Sequence, residues 1–168
     1  MKNTITIKGN VYFSGHKVDI TDPCYDNDVV CRLTAPIEPG KYEYVIQKQL
    51  FNPAKDPLAG FIASLAIINS EAKAACNDQT TFRPFFYGVI GVDAGLAGFF
   101  EDKPDYPDKE WYKICDYLKD KSYAEASLDN PFKCNGIVTS SGYGDGEYIV
   151  AQLRTEEGVV VGYRIDFI

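Results

Sequence analysis

The chain has 168 residues, 45% hydrophobic and 24% charged, which suits one globular domain over 1–168 that buries a core without staples. Its 24 acidic residues outnumber 17 basic ones for a formal charge of −7, so the field of the molecule repels phosphate backbones and argues against nucleic-acid binding. The acids are interleaved with Lys and Arg, which argues equally against an acidic mimic of DNA.

The opening stretch MKNTITIKGNVYF alternates polar and apolar residues and lacks the apolar centre of a signal peptide. The longest apolar run, Leu58 to Ile68, has 11 residues where a membrane span needs about 20. A soluble cytoplasmic protein with no membrane partner is expected. Cys24, Cys31, Cys76, Cys115 and Cys134 are odd in number and never spaced C-x-x-C, so they signal neither a disulfide framework nor a zinc knuckle and fit free thiols in a reducing compartment.

In chain order, Ile5 and Ile7, the pair Gly9-Asn10, then Val11 and Phe13 read as a hairpin with a tight turn. After a turn at Ser14-Gly15, Lys17 to Ile20 is a short strand stopped by Asp22-Pro23. Tyr42, Tyr44 and Ile46 alternate with Glu43, Val45 and Gln47 as a half-buried strand does. Leu58, Phe61, Ile62, Leu65 and Ile68 follow helical spacing, with Asp56 as cap and Pro57 in the first turn, which predicts a helix to about Ala75.

Phe85 to Val92 and Leu96 to Phe100, joined by Asp93-Ala94-Gly95, predict a second hairpin. Asp108 stands as cap of a second helix, with Trp111, Cys115 and Leu118 on one face. Gly136 to Thr139, Tyr148 to Arg154 and Val159 to Phe167 predict a three-stranded meander. The sum is an α+β domain, predominantly one antiparallel sheet with about two packed helices; the 12 Tyr and 10 Phe suit such pleated surfaces.

Three segments combine Asp with residues that shape the backbone: Asp22-Pro23-Cys24-Tyr25, Val92-Asp93-Ala94-Gly95, and Ser140 to Gly146. With the ending Gly162 to Phe167, they resemble a bacterial and phage family known as domain of unknown function 4241. The resemblance implies a soluble intracellular protein and aligns Asp22, Asp93, Ser141 and Asp145 with look-alike positions, but it brings no activity, substrate or cofactor.

Read on their own chemistry, Asp22, Asp93 and Asp145 could converge with Asp102 or Glu147 into a carboxylate cluster for Mg²⁺ or Ca²⁺, the basis of a metal-assisted hydrolase. The competing reading gives each Asp to its own turn, and it is the stronger one, because nothing in the sequence brings the three together. Ser140 to Gly146 could form an anion nest, yet it lacks the Gly-Lys-Ser/Thr ending of a P-loop and the frame of a nucleophile elbow. His16, the single histidine, could pair with Cys24 or Asp19, although an exposed turn position suits it better. Tyr25, Tyr87, Tyr143 and Tyr148 could line a pocket for a ring-shaped ligand, or be ordinary strand residues.

The leading expectation is a non-catalytic binding or interaction protein whose ligand-binding candidates are Asp22, Tyr25, Asp93, Ser141, Tyr143 and Asp145. The partner is then another protein or a small ligand, and a small-ligand sequestering protein with an apolar pocket is the third class in view.

Overall fold

The computed structural model describes residues 3–52, 54–56, 59–76, 82–107 and 109–168. In chain order the described elements are β1 (Thr4–Phe13), β2 (Lys17–Thr21), β3 (Leu33–Pro36), β4 (Gly40–Leu50), β5 (Gly60–Asn69), α1 (Ser70–Ala75), β6 (Arg83–Val92), β7 (Leu96–Phe100), α2 (Trp111–Leu118), β8 (Tyr123–Ala126), β9 (Gly136–Ser140), β10 (Gly146–Arg154) and β11 (Val160–Asp166). They form two sheets, a six-stranded one ordered β1-β4-β5-β11-β10-β6 and a five-stranded one ordered β3-β2-β7-β9-β8. Every pairing in both is antiparallel.

The sheets pack face to face on a shared core in which Phe13, Ile46, Leu65 and Ile165 of the larger sheet meet Ile20 and Phe99 of the smaller, all fully buried. Each such side chain stabilises the fold by roughly 1.5–3 kcal/mol relative to exposure. The outer face of the smaller sheet is covered by α2, whose Ile114 and Leu118 pack with Phe100 and Phe132. On the outer face of the larger sheet, Ala72 of α1 packs against Ala66, Leu153 and Val161.

The dominance of antiparallel sheet agrees with the sequence reading, but the described residues form two sheets rather than one and only two short helices, so the protein is sheet-rich more than an α+β domain with packed helices. The predicted helix from Leu58 is instead strand β5, and only its end, Ser70–Ala75, is helical. A β-bulge explains the misreading: Gln47 pairs with Ser64 and Lys48 with Ile62, so Ala63 is an extra residue. The bulge lets Ile62 and Leu65, three apart, both point into the core, a spacing that imitates a helix. Asp56 accepts from the Ala59 amide in a turn ahead of β5, while Asn69 caps α1. Pro57, Leu58 and Asp108 lie outside the described residues, so the expected first-turn position of Pro57 and the expected cap at Asp108 do too.

The expected first hairpin is one continuous strand. Gly9 serves packing rather than a turn, because the Tyr44 ring occupies the place where a Cβ would stand, with its Oη 2.1 Å away. The second expected hairpin and the meander also divide between the sheets: β6 and β7 do not pair, and β9 leaves β10 and β11 to join the smaller sheet. The chain crosses between sheets four times, at 14–16, 37–39, 93–95 and 141–145. The crossings group into two ends, since the His16 carbonyl accepts from Ile37 N at 2.9 Å and the Gly95 carbonyl accepts from Ser141 N at 2.9 Å.

Candidate functional site

The three singled-out segments do meet, at the end of the sandwich that holds the 93–95 and 141–145 crossings. β2 delivers Asp22 to its end fully buried, and the carboxylate accepts three backbone amides: Cys24 N on Oδ1 at 2.9 Å, and Asp93 N and Ala94 N on Oδ2 at 2.9 and 2.7 Å. Burial pushes the Asp22 carboxyl above its ordinary pKa, although those amides pull it down, and the nearby Asp93 charge adds to the rise. Both oxygens of Asp22 are therefore engaged in tying its own turn to the β6–β7 crossing.

Asp93 and Asp145 point to solvent; an Asp145 oxygen lies 3.9 Å from where a Cβ on Gly95 would stand. Among the described residues, no group of three or more His, Cys, Asp or Glu side chains is placed to hold a metal ion. Asp22, Asp93 and Asp145 share a neighbourhood but not a coordination sphere. Ser141 is buried, and its hydroxyl donates to the Gly144 carbonyl at 2.6 Å, an oxygen that also takes the Tyr148 hydroxyl at 2.7 Å. Gly142 adopts φ 28°, and a Cβ there would press on Phe167 and the Ile62 carbonyl, so a side chain is sterically shut out.

Tyr143 is 72% exposed and its ring lies 5.2 Å from Phe61. Tyr25 sits against Cys31 and Gly91, and burial, Cys31 and then the Asp22 and Asp93 carboxylates push its hydroxyl up to about 12. Tyr87 is spent elsewhere, donating to the Thr34 carbonyl at 3.1 Å. His16 is exposed at the opposite end of β2, and the Cys24 sulfur faces Cys115 at 3.9 Å rather than an imidazole.

Sequence reasoning missed the polar cluster beside this loop. Asp19, on β2, pairs with Arg32 at 2.5 Å and accepts from Thr34 Oγ1 at 3.2 Å. Arg32 also bonds Asn27, whose amide donates to the Lys103 carbonyl. Lys103 is 2% exposed; its ammonium donates to the Tyr25 and Pro104 carbonyls, both at 2.8 Å, and lies 4.8 Å over the Tyr106 ring. Burial lowers the Lys103 pKa against the pull of Asp105 and Asp19. No motif marks these residues, which lie on separate stretches of chain; only β2 pairing with both β3 and β7 gathers them.

The other end is built differently. Glu101, buried where β7 ends, accepts from Ser14 N and Ser14 Oγ at 2.8 Å and from Gly15 N at 2.5 Å, and so fixes the β1–β2 crossing. Beside it the β3–β4 crossing, α1 and the start of β11 leave a groove of about 560 Å³. Ile37, Tyr42, Val161 and Tyr163 make its walls, while Glu38 and Glu71 place carboxylates on it. The two tyrosine hydroxyls are anchored on backbone, Tyr42 to the Glu38 carbonyl at 2.9 Å and Tyr163 to the Pro36 carbonyl at 2.7 Å, which holds the rings in place.

Fold and sites together define a two-sheet antiparallel sandwich with a closed polar end and an open, grooved one. No family model, curated protein or solved structure matches the chain. Among the described residues, no helix is long and apolar enough to cross a membrane.

Proposed function

We propose that the chain is a non-catalytic binding protein, soluble and cytoplasmic, that takes a small ligand in the groove bounded by α1, the β3–β4 crossing and the start of β11. The observation that carries this reading is the groove itself: about 560 Å³ falls within the range of small-molecule sites, and apolar walls with a few polar groups are what such sites need. Its charge selects the ligand class. Glu38 and Glu71 line it and no Lys, Arg or His does among the described residues, so an anion is repelled and a neutral or cationic molecule with an apolar body is accepted. A carboxylate hydrolase at the Asp22 end is the weaker alternative, because the Asp22 oxygens already serve three amides. The expectation of bacterial or phage origin rests on the family resemblance and adds no chemistry.

Thermal-shift measurements on three matched compounds, an arylalkyl amine, its alcohol and its carboxylate, test the reading. The amine raises the melting temperature most and the carboxylate leaves it unmoved, since a ligand at 100 times its Kd adds about 2.7 kcal/mol of stability. Ala75→Trp, at an exposed position on the groove rim, abolishes the shift while changing the stability of the free protein by less than about 0.5 kcal/mol. Three silent compounds, or a shift that survives Ala75→Trp, would remove the groove from consideration.

A further inference from the structure

We infer that Cys24 and Cys115 form a covalent modification site: a dithiol that a small disulfide, such as oxidised glutathione, converts to an intramolecular disulfide tying the Asp22 loop to α2. The two residues are 91 apart in sequence, yet their sulfurs lie 3.9 Å from each other. A disulfide bond is about 2.05 Å long, so oxidation must draw the two sulfurs closer by about 1.9 Å. Cys24 also packs against α2 one turn before Cys115, its sulfur 4.0 Å from the Trp111 carbonyl. Neither thiol is sealed in the core; both are half-buried, within reach of a small reagent.

The other three cysteines are engaged elsewhere, which makes the pairing specific. Cys134 is 2% exposed beside Tyr106. Cys31 lies against Tyr25 and Gly91, and Cys76 donates to the Ala72 carbonyl at the end of α1. All five are free thiols in the structure.

The exchange runs in two balanced steps. Cys115, as thiolate, attacks one sulfur of the small disulfide; the S–S bond breaks, Cys115 carries a mixed disulfide and one small thiolate leaves. Cys24 then gives its proton to solvent and attacks the Cys115 sulfur, forming the Cys24–Cys115 bond and expelling the second small thiolate. In sum, two protein thiols are oxidised and one small disulfide is reduced to two thiols. Burial, with the Asp22 charge behind it, raises the pKa of Cys24, which disfavours Cys24 as the entering thiol.

The folded wild-type chain, incubated with oxidised glutathione, quenched with acid and counted for thiols in denaturant, tests this directly. Expected are a fall from five free thiols to three, a mass lower by two hydrogens, and one cross-linked peptide pair containing Cys24 and Cys115. In Cys24→Ser the reaction stops at a stable glutathione adduct on Cys115. Five thiols still free in the wild type, a lasting glutathione adduct on it, or a cross-link through any other cysteine would overturn the assignment. Because the wild type decides the outcome, a variant that fails to fold does not cloud it.

Discussion

The two ends of the sandwich solve one problem in opposite ways. Each must carry the chain between sheets twice, and each uses a buried acid to collect three donors at a crossing, Asp22 at one end and Glu101 at the other. Around Asp22 the loops close over it, so the donors it satisfies have no other partner. Around Glu101 the turn stays at the surface, with Ser14 exposed, and space remains alongside for the groove. Asp22 and Ser141, two of the residues that look most like chemistry, thus hold the polypeptide, Asp93 and Asp145 face solvent, and the groove lies among residues that look like ordinary strand.

Substitutions at the two acids break this comparison most sharply. Asp22→Ala removes a fully buried acceptor from three part-buried amides and costs about 3 kcal/mol in urea unfolding, whereas Glu101→Ala, whose partners include the exposed Ser14, costs about 1 kcal/mol because water replaces the lost acceptor. Equal costs at both ends would refute the contrast. A smaller effect depends on pH: the Tyr25 pKa is higher in the folded chain, at about 12 against an ordinary 10, so the stability it contributes is present below pH 10 and lost as pH rises toward 12. Tyr25→Phe makes the alkaline slope of denaturation profiles shallower, with Tyr42, Tyr44, Tyr106 and Tyr163 keeping their share; identical slopes for the two proteins would show that Tyr25 is not linked to folding. Smallest of all, Asp93→Ala and Asp145→Ala each change stability by less than about 0.5 kcal/mol, since both side chains are exposed. A loss near that of Asp22→Ala would mean that they, too, hold the loops.

Much of the sheet was legible from local pattern. Tyr42, Tyr44 and Ile46 alternate inward in β4, and the runs at Phe85, Leu96, Gly136, Tyr148 and Val159 all became strands. The helical reading of Leu58 to Ile68 went astray at Ala63, where one extra residue shifts the phase of the alternation. Which strands pair was not legible: Asp93-Ala94-Gly95 has hairpin chemistry but carries the chain across the core, because the Asp22 carboxylate holds its amides from another strand. The same gap applied to the sites. Asp22 and Ser141 were recognised, but as ligand candidates rather than as anchors, and Lys103, Arg32 and Glu101 carry no motif at all.

What the sequence determined by itself is the inventory: strand-length alternations, turn residues and a net negative charge, none of which depends on how distant residues meet. The tertiary structure alone decided the division into two sheets, the fate of each carboxylate and the position of the groove. Those depend on contacts between residues tens of positions apart, and a pattern of near neighbours holds no record of which distant amide a buried acid will meet.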